Sequence, residues 1–223
     1  MPARCYDIRM RRLGTWLILM AVSYFAVAQQ PEDSVVEEVL AVVGNTPVLY
    51  SDVTLAALVR LVAPAAETDE AYRSRLLDAR IRLEVEYRDL EESGLLFRLS
   101  LEPQTVRNTL IERGGGTEVL ESSMSANGLS WPDLEELALR LAAVNAYVEE
   151  RLRPRVAVSM EEIEAAYQEL LVAEIATADE PPPPITVVQE ELRKLLVERK
   201  LNEEIERWLA RAEERQEVTR FSR

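Results

Sequence analysis

Residues 129–170 read LSWPDLEELALRLAAVNAYVEERLRPRVAVSMEEIEAAYQEL, and this stretch decides the fold class. Leu134, Leu137, Leu141, Val144, Val148 and Leu152 recur at steps of three and four, which predicts one face of a helix of about six turns. Ser130 suits its N-cap, with Pro132 and Asp133 in the first turn, where a missing N–H is harmless and a negative charge meets the helix dipole. The pattern stops at Arg153-Pro154. Residues 155–158, Arg-Val-Ala-Val, read as a short β-rich run. Ser159-Met-Glu-Glu162 is then a capping box for a second helix striped with Ile163, Ala166, Tyr167 and Leu170.

Working outward toward the N-terminus, four more helices are expected. Gly128 and Asn127 close a short one over 117–126, and Gly114-Gly115-Gly116 stops another that opens at Glu102-Pro103. The triple glycine is followed by no Lys-Ser/Thr pair and no strand precedes it, so it is a turn and not a phosphate loop. Thr68 opens a longer helix to about Ser93, ended by Gly94, with Tyr72, Leu76, Ala79, Leu83, Tyr87 and Leu90 as its stripe. Ser51 or Asp52 is expected to cap a helix running to about Val62. Ahead of it, Val39 to Val43, Gly44-Asn45 and Pro47 to Tyr50 spell a β-hairpin, with Pro47 on an edge because it has no N–H to donate.

Residues 1–28 stand apart. Arg4, Arg9, Arg11 and Arg12 precede an apolar run over 13–28, and Ala26-Val27-Ala28 forms a cleavage site before Gln29. They read as a signal peptide starting at Met1 or Met10; as an anchor, the run falls short of the ~20 residues a bilayer needs. The expected location is therefore the periplasm, with membrane contact only before cleavage.

Composition narrows the chemistry. The segment holds four of the 26 basic and one of the 40 acidic residues, so its loss leaves a net charge of −17. Nucleic acid and anionic lipid repel such a chain. The single cysteine, Cys5, leaves with the segment, and the chain has no histidine. That removes the commonest general base and transition-metal ligand. Glu149-Glu150 and Glu161-Glu162 are adjacent on helices, about 100° apart, so neither pair converges on a substrate. No enzyme, cofactor or metal is expected.

Toward the C-terminus, residues 178–184 end in four prolines and read as an extended linker. Ile185 to Arg215 repeats Val188, Leu192, Leu195, Leu201, Ile205, Trp208 and Ala212 at helical spacing. Residues 217–222 alternate like a strand, which needs a partner. The hairpin is the one expected. The fold class is thus mainly α with a small β-sheet. An N-terminal β-hairpin is joined by a C-terminal strand, and a long C-terminal helix packs back on the N-terminal helices. Residues 29–177 form a helical domain, and 185–223 complete it across the 178–184 linker.

Two segments carry a resemblance: VLAVVGNTPVLYSDV, residues 39–53, and GLSWPDLEELALRLAAVNAYVEERLRPRVAVSMEEIEAAYQEL, residues 128–170. Together with the returning piece over 185–222, they resemble the N-terminal chaperone domain of SurA-type periplasmic folding factors and their PrsA and PpiD relatives. In that family a parvulin prolyl-isomerase domain follows the second segment. Here only residues 172–184 occupy the place, and the histidines and glycine-rich segment of a parvulin site are missing. The resemblance implies a helical SurA-N-like chaperone without its isomerase.

The expected function is an ATP-independent chaperone binding unfolded or extended exported polypeptides. Candidate cleft residues are Met124, Leu129, Trp131, Tyr147, Met160 and Tyr167, whose adaptable or amphipathic side chains suit varied apolar clients. An assembly or scaffold subunit holding one folded partner is the alternative, and a prolyl isomerase is a more distant one.

Overall fold

The computed structural model describes residues 37–172 and 183–221. The expected signal peptide over 1–28, and all of the expected 178–184 linker except Pro183 and Pro184, lie outside the described residues. Seven α-helices and one three-stranded antiparallel sheet make up the described part.

Strands β1 (Val39–Val43) and β2 (Thr46–Leu49) form the hairpin, with Val43 opposite Thr46 and Val42 opposite Pro47. The turn between them works because Gly44 sits at φ +59, as a two-residue turn with a left-handed first position requires. A Cβ there would also stand 2.9 Å from Arg88 Nη2. Strand β3 (Val218–Arg220) pairs antiparallel with β1, giving the order β2-β1-β3. The tail of the chain therefore closes the sheet begun at its head. Pro47 lies on an edge strand, where its missing N–H breaks no ladder.

Helix α1 (Tyr50–Leu58) starts two or three residues earlier and ends sooner than the sequence suggests. Leu49 occupies the N-cap, and Asp52 serves from inside the first turn, its Oδ2 accepting the Leu49 N–H at 2.8 Å. The helix ends at Leu58 because Arg60 adopts φ +50, letting Leu61 N–H bond Ala56 C=O and Arg60 N–H bond Ala57 C=O. That left-handed closure has no glycine to announce it.

Helix α2 (Asp69–Glu92) is the structural hub. Thr68 caps it, and Gly94 at φ +66 closes it, with Leu95 N–H on Leu90 C=O. Apolar residues along α2 enter several clusters. Leu83 joins α1, α3 (Pro103–Arg113), α4 (Thr117–Ala126) and α5 (Trp131–Tyr147). Ile81 and Val85 meet the sheet and the last turns of α7 (Ile185–Glu213), while Leu90 meets Trp208, Leu201 and Leu152. A helix covered from so many sides also buries Arg80, Glu84, Glu86 and Asp89.

Helix α5 is capped as its sequence indicates, with Ser130 N–H on Asp133 Oδ2 at 2.7 Å. Its chain runs on through a wider π turn, Val148–Leu152, and a tight turn, Arg153–Arg155, rather than as one regular helix. The expected β-rich run at 155–158 forms no strand. Val156 and Val158 instead fill two different apolar clusters, and β-branched residues without a sheet neighbour gain nothing from extended pairing.

The Ser159–Glu162 capping box is present at the start of α6 (Met160–Tyr167). Ile163 and Ala166 of α6 pack on Leu192 and Leu196, while the later turns of α7 pack on α2. Leu195, expected inside, is 50 % exposed, and Leu196 at 1 % takes the inner position. The inner face steps by four from Leu192, and Leu195 lies about 100° off it.

Candidate functional site

Charged side chains inside the fold pair with one another, although Arg80 Nε and Nη1 are buried without a hydrogen-bond partner among the described residues. Arg80 pairs with Asp52 at 2.9 Å, and Arg140 holds Glu84 at 3.0 Å and Glu136 at 2.6 Å while its guanidinium lies 5.1 Å from the Tyr87 ring centre. Arg82 bridges Glu86 and Glu206. Burial pushes the Glu86 carboxyl above its ordinary range, and Arg82 only partly opposes that. These groups position helices and offer no exposed acid/base pair. Among the described residues, no group of three or more His, Cys, Asp or Glu could hold a metal ion.

What the surface does offer is apolar relief. A groove of about 430 Å³ lies between α3 and α5, lined by the apolar Pro103, Ala138 and Leu139 and the polar Gln104, Arg107 and Glu135. The packing of α3 on α5 creates it: small, buried Ala138 lets the helices approach, and Leu139 lies outside the inward stripe. At one end the Arg107 guanidinium stacks 4.8 Å from the Trp131 ring centre. A second groove of about 270 Å³ lies between α1 and α2, with Tyr50, Val53, Ala57, Tyr72 and Leu76 among its walls. Phe97, on the turn joining α2 to α3, is 94 % exposed.

The six candidate cleft residues do not share one cleft. Met124 and Leu129 are buried at 2 % and 8 %, and Trp131 packs on the same cluster. Leu129 N–H bonds Met124 C=O, which folds the end of α4 over the core and turns both side chains inward. Tyr147 lies against Trp208, ring centres 4.5 Å apart. Met160 is 46 % exposed on α6, its sulfur beside Gln189 Nε2. Tyr167 donates its hydroxyl to Pro183 C=O at 2.8 Å and packs between α6 and α7. None of the six lines either groove; Trp131 touches Arg107, which lines the first, and Leu129 lines only a small, mostly polar recess beside Asp52 and Arg80.

Compared with known proteins, the chain matches no family model and no curated sequence. The functional reading therefore stands on geometry and residue chemistry.

Leu139, Pro103, Tyr50 and Phe97 are the surface residues that pattern reading passed over. Leu139 carried a signal: an apolar residue off the stripe of its own amphipathic helix. Phe97 carried another, as the third apolar residue of Leu95-Leu96-Phe97 in a connection too short to bury all three.

Proposed function

We propose that this chain is an exported, ATP-independent chaperone that holds extended or unfolded polypeptides, without isomerase chemistry of its own. The observation that carries the reading is the open α3–α5 groove, lined by apolar and polar side chains together. Such a site takes an apolar client side chain without selecting one sequence, each well-buried group contributing ~1.5–3 kcal/mol. The second groove and Phe97 add further contact points, so a client is held by several weak contacts. The strongly negative net charge, −17 once residues 1–28 are lost, keeps loaded complexes soluble. The resemblance to the SurA-type domain, the exported character of residues 1–28 and the lack of histidine agree with this reading.

The test is suppression of aggregation. The purified chain is expected to keep several unrelated, chemically unfolded proteins soluble on dilution, and Leu139→Asp combined with Phe97→Asp to weaken that effect without lowering the melting temperature. Activity toward none of them would overturn the reading. A scaffold role has one observation in its favour: Met160, Val187 and Leu195 stand exposed on α6 and the first half of α7. Retention of one folded partner, with no effect on unfolded proteins, would select it.

A further inference from the structure

The two edges of the sheet are not equivalent. On the β2 side, Val43 opposite Thr46 closes the two-residue turn, so Val42 opposite Pro47 is the alternate pair whose main-chain groups point outward. Pro47 has no N–H there, and that edge lacks the donor a docking strand would need. On the β3 side, Gly44 N–H bonds Glu217 C=O at 2.7 Å and Phe221 N–H bonds Leu40 C=O at 2.9 Å. With Val42 opposite Thr219, residues 217, 219 and 221 turn their main-chain groups toward β1. Val218 and Arg220 therefore direct an N–H and a C=O each away from the sheet, and no partner for these groups exists among the described residues.

We infer that the outer edge of β3 is a docking site for an extended polypeptide segment, which adds to the sheet main chain to main chain. The inference rests on the chaperone reading and names how part of a client is held. Two adjacent outward residues of one strand supply the alternating donors and acceptors that β-addition requires, and main-chain pairing is indifferent to client sequence. The side-chain environment defines the occupant further. Val42, Pro47 and Thr219 share the outer sheet face, and Phe221, two residues past Thr219, is 53 % exposed. An added strand with apolar residues at alternate positions extends that face. An excess of acid in it is disfavoured by the chain's strongly negative net charge.

A second copy of this chain is a poorer occupant. Each copy carries the same negative charge, and a pair of three-residue strands covers far less than the ~1,200–2,000 Å² of a stable interface. A client held by a short edge together with grooves elsewhere is released readily, as a chaperone needs.

The experiment uses a labelled peptide of alternating valine and threonine, its counterpart methylated at every peptide nitrogen, and the variants Arg220→Pro and Arg220→Ala. Proline at 220 removes one outward donor and leaves the bonds of 219 and 221 to β1 in place; alanine removes the ion pair with Asp78 and keeps the donor. Fluorescence anisotropy is expected to show binding to wild type and Arg220→Ala, roughly tenfold weaker binding to a folded Arg220→Pro, and none of the methylated peptide. The methylated peptide tests the idea even if the proline variant fails to fold.

Equal binding of both peptides, or no binding while the chain still suppresses aggregation, overturns the edge site and leaves the chaperone reading intact. Peptide binding without any suppression of aggregation retains the edge and overturns that reading instead. A dimer in sedimentation that Arg220→Pro abolishes assigns the edge to a second copy and also overturns the inference.

Discussion

Trp208 donates its indole N–H to Asp89 Oδ2 at 2.8 Å, a buried bond between residues 119 positions apart. Arg215 takes Oδ1 of the same carboxylate. Asp89 lies on α2, Trp208 in the last turns of α7 and Arg215 just past its end, so one carboxylate fastens the returning tail to the central helix. Trp208→Phe keeps most of the apolar volume and leaves Asp89 short of a donor, which is expected to cost ~1–3 kcal/mol in urea unfolding. Asp89→Ala is expected to cost more, since it strands the indole N–H and the Arg215 pair together. No change in either variant would mean that the tail is not held by this contact.

Gly44 and Gly94 both have positive φ, yet they differ in surroundings. A Cβ at Gly44 meets the Arg88 guanidinium, whereas a Cβ at Gly94 meets nothing within 4 Å. Both alanine variants incur the left-handed backbone penalty of ~1–2 kcal/mol. Gly44→Ala also disturbs Arg88, which binds Thr46 at 2.8 Å and Gln216 at 3.0 Å and so ties the hairpin turn to the tail. The expected order of melting temperatures is wild type, then Gly94→Ala, then Gly44→Ala. A reversed order would contradict the role given to Arg88.

Glu86 makes stability depend on pH in an unusual direction for a carboxylate. Burial raises its folded-state pKa above the ordinary 4.5. The native state then binds the proton more tightly than the unfolded chain. Its contribution is most favourable below 4.5 and declines as pH rises through the folded-state value. Subtracting the stability curve of Glu86→Gln from that of wild type is expected to leave a difference that falls with rising pH across that window. Glu162, exposed and held by Lys200, has a lowered pKa and acts oppositely: its contribution is present above 4.5 and is lost as pH falls through the folded-state value.

Adjacent leucines on α7 separate the two ways of placing its inner face. Leu196→Ala is expected to cost ~2–5 kcal/mol, because its side chain is enclosed with Ile163 and Leu192. Leu195→Ala is expected to stay within ~0.5 kcal/mol. Chemical denaturation of the two variants checks this, and equal losses would show that α7 is rotated from the position described.

The pair also shows where the sequence was legible. Helix caps with side-chain signatures were readable: Thr68, Ser130 with Asp133, Ser159 with Glu162, and the glycine stops at 94, 114–116 and 128. So was the return of residues 218–220 to the hairpin, because a lone strand needs a partner. Arg60 was not, since a left-handed closure by arginine leaves no compositional mark. The burial of Glu84, Glu86 and Asp89 was equally hidden: α2 lies at the centre of the fold, and periodicity reads one apolar stripe but not a helix surrounded on several sides. For the surface, Trp131 pointed near a groove. Met124 and Leu129 did not, because adaptable side chains fill cores as readily as clefts.

The central claim, that unrelated unfolded chains enter the groove between α3 and α5, is tested most directly by a photoreactive amino acid placed at position 139. Illumination during refolding of several unrelated proteins is expected to cross-link each of them to position 139, and to cross-link none once they have folded. Cross-links to a single folded partner, or to no unfolded chain at all, would contradict it.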